Sequence, residues 1–280
     1  MTTIANRDSY DAHISQNFTS IVGSSLKCTF VHDAIFIDHP EWFSRTERAY
    51  LSVIRPSLRC SDVVFTSSDN EAQRIRRVWP ETRQKVIPIG LGAPIWTQAP
   101  KSQLVDEVAS RDRPYFLAVG RLNERKNLGR LIQAYSRHPR IGLTHDLVIV
   151  GARNGLLTST AMTSHASVKV LSNVDDSQLT WLYENAAAMI FPSLEEGFGL
   201  PLLEADRFGL PIAASDIPVF REIDLADIYF DPLSVAAIGR ALEDITAFPH
   251  RGAPRSPANW AEVVSVARAT IVSAIGSSKE

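Results

Sequence analysis

Two carboxylates, Glu196 and Glu204, bracket the run EGFGLPLLE, which also holds two glycines and a proline. Carboxylate oxygens accept hydrogen bonds from hydroxyl groups, and bare backbone amides donate to sugar or phosphate oxygens. Gly197 and Gly199 carry no side chain, so the amides from Gly197 through Phe198 and Gly199 to Leu200 are open to close approach by a ligand. The chemistry on offer is recognition of a polyhydroxylated, negatively charged molecule at a helix N-terminus. Two acids alone would equally suit a solvated acidic loop; the ordered glycines and Pro201 between them argue against that. About seventy residues earlier, FLAVGRLNERKNLGRLIQAYS places Arg121 and Lys126, two of its four cations, in the loop after a strand. Arginine's fork matches phosphate oxygens and lysine supplies a point charge. Alone, such a pair would read as solvated charge. A third segment, FVHDAIFIDHPEWF, contains His32 at the end of an apolar run, where an imidazole could donate or accept a proton. The competing reading is a structural histidine. Asp33 is expected to order the loop that follows, and His39 to be structural.

These residues need elements to hold them. The apolar run AAMIFPS reads as a buried strand ending at Phe191, and Pro201 falls where a helix would begin. Leu202, Leu203 and Ala205 continue that helix and Gly209 ends it, which puts Glu196 on the loop and Glu204 about one turn in. Arg121 follows a strand ending near Gly120, with Asn127 as the expected cap of the next helix, Asn127–Arg137. Leu128, Leu131, Ile132 and Tyr135 share one face of that helix. A further helix is expected over Asp176–Ala187. Strands are expected at Asp11–Ser15, Cys28–His32, Asp62–Thr66 and Lys85–Ile89. A second set follows at Tyr115–Val119, Asp146–Val150, Val168–Leu171, Ala188–Phe191, Ile212–Ala214 and Ile228–Phe230. Strands alternating with helices imply parallel sheets in an α/β protein, with ligands at the carboxyl ends of the strands. A proline-rich break over Leu91–Arg113 suggests a division: an incomplete first domain over 1–95, a linker over 96–112, a second domain over 113–250, and a terminal helix and tail over 251–280.

The run PSLEEGFGLPLLEADRFGLPIAASDIP resembles the signature of retaining glycosyltransferases of family 4, which have the GT-B fold of two Rossmann-type domains. That family's Glu, seven residues, Glu pattern falls on Glu196 and Glu204; Glu195 lies outside it. The resemblance implies that Glu196 contacts donor-sugar hydroxyls near the reacting carbon and that Glu204 holds the ribose diol of a nucleotide. Its Gly-Arg and Lys-Asn motif falls on Arg121 and Lys126, which would bind the donor diphosphate; Glu124 and Arg125 match nothing in it. His32 matches a group that contacts the donor sugar or the departing phosphate across the interdomain cleft, so His32 and Glu196 are the catalytic candidates. The base would lie against Ser172–Val174, with Val174 the chosen contact. The implied activity is transfer of a hexosyl group, mannosyl or rhamnosyl, from a nucleotide-diphosphate sugar to a saccharide or lipid-linked acceptor. The implied setting is polysaccharide or glycolipid assembly. The resemblance also implies N-terminal strands and a glycine-rich loop that the first block lacks. The alternative is therefore a nucleotide-sugar-binding module that needs a partner chain or a further N-terminal segment for activity. A homo- or hetero-oligomer could then cover the incomplete sheet.

Composition narrows the classes. The chain has 280 residues, 45% hydrophobic and 21% charged, as expected of a globular protein with a buried core. A net charge of −2 gives no global reason to expect nucleic acid. The segment 43–85 has a local excess of four positive charges, which suits either a solvated surface or contact with an anionic membrane. Cys28 and Cys60 are too few for a disulfide framework and read as buried free thiols. No Asp-x-Asp motif occurs, so neither a metal nor another cofactor is expected, and Arg121, Lys126 and helix dipoles would balance the diphosphate instead. With no signal-like or membrane-spanning run, the expected location is the cytoplasm, including the inner face of the membrane.

Overall fold

Ten short apolar runs become ten parallel strands, in two separate sheets. The computed structural model describes residues 10–20, 23, 25–92, 102–151, 166–255 and 259–277. The chain divides into two compact units: residues 1–92 with 259–280, and residues 93–258.

The first unit holds β1 (Ala12–Gln16), β2 (Leu26–Val31), β3 (Val63–Thr66) and β4 (Val86–Pro88), paired in that order and all parallel. β3 is buried at every position, as an interior strand with both faces covered must be. β1 lies at an edge, and its Ile14 is 56% exposed. Helices α1 (Arg45–Leu51) and α2 (Asp69–Val78) each start at a serine whose hydroxyl accepts an amide of the first turn, Ser44 from Glu47 and Ser68 from Glu71. Val31, Val64 and Val86 pack on one face of the sheet against Ile54, Leu58, Ala72, Ile75 and Trp79. The other face, Cys28, Phe30, Val63 and Phe65, packs against Ala267, Ile271 and Ala274 of the C-terminal helix Trp260–Ser277. That helix, expected as part of a terminal appendage over 251–280, is thus the second cover of the first sheet.

Much of the basic charge in the segment 43–85 is used within this unit. Arg74 is buried and pairs with Glu71 and Asp38, Arg77 with Asp38, and Arg55 with Glu81. Lys85 donates to the Ser61 carbonyl at 2.6 Å and Arg76 to that of Val86 at 2.6 Å. Arg45, Arg48 and Arg59 stay exposed. Of the two cysteines, expected to be buried, one departs from that expectation. Cys28 is buried, which pushes its thiol up to about 11, but Cys60 ends a one-turn helix whose apolar residue, Leu58, points inward, and it is exposed.

The second unit holds β5 (Tyr115–Val119), β6 (Asp146–Val150), β7 (Val168–Leu171), β8 (Ala188–Phe191), β9 (Ile212–Ser215) and β10 (Ile228–Phe230). Their order, β10-β9-β8-β5-β6-β7, runs outward from β5 to one edge, then returns beside it to run outward to the other. This is a doubly wound sheet whose switch point lies between β5 and β8, the place where such sheets leave a crevice for ligands. Helices α3 (Leu128–Arg137), α4 (Asp176–Asn185), α5 (Leu200–Arg207) and α6 (Pro218–Ile223) lie in the connections, and α7 (Val235–Asp244) follows β10. α3 and α7 pack on one face through Leu131, Tyr135, Ile238 and Leu242. α4 and α5 pack on the other through Leu182, Tyr183, Leu202 and Leu203.

The expected linker over 96–112 lies partly outside the described residues. Within its described part, the short helix Asp106–Ala109 buries Val108, with Val105 beside it, in the second unit's core. After α7, Arg255 donates its amide to Asp206 at 2.9 Å and Arg251 pairs with Asp227. These charges bind residues 251–255 to the second unit.

Candidate functional site

Three loops at the carboxyl ends of β5, β8 and β10 are tied together by the side chains between Asn123 and Asn127. The Asn123 side chain accepts the Lys126 amide at 3.1 Å and starts a one-turn helix, Glu124–Lys126. Asn127 then takes a left-handed conformation, φ 54°, and its side chain does not cap α3 as expected. It is buried, and it donates instead to the carbonyls of Pro192 at 3.0 Å and Pro232 at 2.8 Å. Arg125 makes a second tie: its guanidinium donates to the Glu195 carbonyl at 2.9 Å, and its own carbonyl accepts the Leu194 amide at 2.8 Å.

Glu196 lies where these ties converge. It is 6% exposed, and Lys126, 8% exposed, sits with its ammonium 2.5 Å from one carboxylate oxygen. Arg125 holds the other oxygen, and the Ser193 hydroxyl donates to the first at 2.8 Å. Burial alone would push the Glu196 carboxyl up, but the charges of Lys126 and Arg125 outweigh it and hold the group below the usual carboxylate range. Burial lowers the proton affinity of Lys126, with Arg125 adding to this and Glu196 opposing it. The Lys126 ammonium also lies 4.8 Å from the centre of the Phe191 ring. It reaches this position by passing over Gly120, where a β-carbon would stand 2.9 Å from the lysine Cε.

Glu204, half-buried on α5, meets a different environment. Its carboxylate accepts the Tyr183 hydroxyl at 2.6 Å. Burial raises its proton affinity and Asp176 adds to this, while the Tyr183 hydrogen bond and the charge of Lys126 act the other way. Tyr183 is fully buried on α4, which pushes its phenol well above its ordinary value and keeps it a donor.

The structure thus gathers Lys126, Glu196 and Glu204 beside the switch point of one sheet. Residues 102–246 match the family described as Glycosyl transferases group 1. The chain belongs to that family.

Among curated members and their relatives, it is 30% identical over 262 residues to a serotype-specific mannosyltransferase WbdA of Escherichia coli, an alignment covering 84% of this chain and 32% of that protein. The O-antigen chain mannosyltransferase B of Escherichia coli is 28% identical over 75% of this chain and 58% of its own length. The O-antigen chain mannosyltransferase RfbU of Salmonella typhimurium is 26% identical, over 78% of this chain and 60% of its own. The chain therefore spans about a third of the length of the WbdA proteins it matches. Among solved structures, a sucrose-phosphate synthase from Thermosynechococcus elongatus matches with a TM-score of 0.65 at 20% identity, covering 87% of this chain and 66% of its own. A trehalose-phosphate synthase from Burkholderia vietnamiensis matches with a TM-score of 0.63 at 16% identity, covering 89% and 68%. The α/β, GT-B-like fold is shared with these structures.

The other residues matched to the group 1 signature lie as follows. Arg121 is exposed, and no side-chain hydrogen bond or ion pair engages it among the described residues. Gly197 and Gly199 are buried rather than open, and Phe198 packs against the core. Gly199 has φ +118°, and a β-carbon there would stand 2.8 Å from the Phe220 ring, so backbone geometry and packing alone require glycine. Leu200 opens α5 and is 36% exposed. Val174 is half-buried, with its side chain packed on the core. His32 belongs to the first unit: it follows β2, is exposed, and sets its ring edge-on to Phe30 at 4.9 Å. Asp33 accepts the Ile35 amide at 3.2 Å and so orders the turn after it, while His39 stacks on Trp42 at 3.9 Å. Sequence reasoning missed Arg125, Ser193 and Tyr183, the direct partners of the two glutamates.

Among the described residues, no group of three or more His, Cys, Asp or Glu side chains is arranged to hold a metal ion. No helix among them is long and apolar enough to cross a membrane.

Proposed function

We propose that this chain transfers a mannosyl group, with retention at the anomeric carbon, from a nucleotide-diphosphate sugar to a saccharide or lipid-linked acceptor. The observation that carries this reading is the meeting of Lys126, Glu196 and Glu204 at the switch point between β5 and β8 of a group 1 glycosyl transferase. The mannosyl choice is supported by the names of the relatives, and their O-antigen titles support a role in polysaccharide assembly.

In this reading Arg121, exposed and without an ion pair among the described residues, and Lys126 take the two phosphates of the donor. As the glycosidic bond breaks, the sugar approaches an oxocarbenium ion and negative charge gathers on the departing diphosphate. A well-placed donor to such developing charge contributes about 3–4 kcal/mol to transition-state stabilisation. Glu196 is held too firmly by two cations and a hydroxyl to swing freely. It orients the sugar hydroxyls from a fixed position, and we assign it no nucleophilic role. Glu204 accepts the ribose diol, and Val174 borders the base. His32 is the proposed donor to the departing phosphate. The two cations stand in for a metal. The enzyme works in the cytoplasm, at the inner face of the membrane, where the exposed Arg45, Arg48 and Arg59 meet anionic lipid.

The test is incubation of the chain with GDP-, UDP- and dTDP-linked hexoses and a saccharide acceptor, with the product's anomeric configuration read by NMR. The expected result is transfer from the mannosyl donor with retention. An inverted product would overturn the retaining mechanism. Nucleotide binding without turnover would instead support the alternative, a donor-binding module that needs a partner or further segment.

A further inference from the structure

The Glu204 carboxylate is not free to rotate. One oxygen, Oε2, accepts the Tyr183 phenol at 2.6 Å. The phenol is itself held: its ring is fully buried and lies parallel to Phe208, with centroids 5.4 Å apart and planes 3° from parallel. A carboxylate gripped at one oxygen by a rigid donor presents its other oxygen in a single direction. A single direction is what a site needs to read a hydroxyl rather than merely attract a cation.

We propose that Tyr183 is a positioning residue that pins Oε2 of Glu204, so that Oε1 meets the ribose hydroxyls, and thereby sets the preference for ribonucleotides over 2′-deoxyribonucleotides. The proposal rests on the reading of Glu204 as the ribose contact. The charged groups that act on Glu204 are Asp176, on the same helix as Tyr183, and Lys126, from the loop after β5. Neither is placed by Tyr183, so replacing the tyrosine leaves the diphosphate contacts alone.

The experiment compares the dissociation constants of GDP and UDP with those of their 2′-deoxy counterparts, for the full chain and for Tyr183→Phe, between pH 5 and 8. The wild-type chain is expected to favour the ribonucleotide at least tenfold, the order of a hydrogen bond to a charged group. Tyr183→Phe keeps the ring and its stacking. It is expected to shrink that ratio about tenfold, and to move the pH below which discrimination fails upward, because the phenol favours the ionised form of Glu204. A purely structural tyrosine would weaken both nucleotides equally and leave the ratio and its pH midpoint in place, and that result overturns the proposal. Wild-type binding with no ribose preference would instead refute the reading of Glu204, a distinguishable outcome. If Tyr183→Phe does not fold, Phe208→Leu loosens the tyrosine from its other side. A reduced ratio there supports the proposal, and an unchanged ratio overturns it.

Discussion

Glu196 and Glu204 stand on one short segment, yet their surroundings push them in opposite directions. Glu196 is buried between Lys126 and Arg125 and holds its charge more readily than an ordinary glutamate. Its contribution to stability is therefore present above the unfolded carboxylate value, near pH 4.3, and is lost as the pH falls through its lowered folded value. Glu204 is raised, so its contribution runs the other way: it favours folding when protonated and is lost as the pH rises through the folded value. Two variants separate these effects. Glu196→Gln leaves the buried Lys126 and the partly buried Arg125 without their counter-charge and is expected to destabilise the second unit by about 3 kcal/mol in urea unfolding at pH 7. Glu204→Gln removes a half-buried charge held by one phenol; its stability at pH 7 should be unchanged or higher, while nucleotide binding falls at least tenfold. A comparable loss of stability in both variants would contradict this division. The spacing of the two acids was legible in the sequence because it lies within one loop and one helical turn. Arg125 was not: nothing in a linear sequence shows that an arginine beside Lys126 folds across to a loop some seventy residues away.

The elements themselves were more readable in the second unit than in the first. β5, β6 and β8 fall where the apolar runs placed them, because interior parallel strands are buried on both faces and stand out as continuous runs; the edge strands β7 and β10 also fall within their expected bounds. In the first unit, β1 has one exposed edge and a mixed pattern, and its bounds shift by a residue. The start of α3 misled the reading, since an asparagine before a helix suggests a cap. Here a left-handed backbone aims that side chain at two carbonyls of other loops. Asn127→Ala should leave the carbonyls of Pro192 and Pro232 without that donor and cost about 2 kcal/mol, measured by thermal or urea unfolding. Gly199→Ala tests the entry to α5. It forces φ +118° on a residue with a β-carbon and drives that carbon against Phe220. An expected loss of about 1–3 kcal/mol, together with weakened nucleotide binding, would show that the glycine sets the loop that carries Glu196. Alanine tolerated without loss of either property would show that the loop has room to adjust.

At the scale of the whole chain, the least predictable feature is the return of the last helix to the first sheet. The sequence reading places a terminal helix and tail over 251–280, but the partner of that helix, Trp260–Ser277, is set by tertiary packing. Ala267, Ile271 and Ala274 cover Cys28, Phe30, Val63 and Phe65. Ala267→Glu places a charge in that contact and should destabilise the first unit, seen as faster hydrogen exchange in β2 and β3, with the exchange of β5 and β8 unchanged. Equal acceleration in both sheets would contradict the division into two cores.

The central claim is a donor-diphosphate site at the switch point of the second unit, and calorimetric titration of the chain and of Lys126→Ala with GDP, UDP and dTDP tests it most directly. The account predicts one-to-one binding of at least one of the three by the chain, and about a hundredfold weaker binding by Lys126→Ala, the order expected for one well-placed charged contact in a buried site. Binding of none of the three by the chain, or equal binding by the variant, would contradict it.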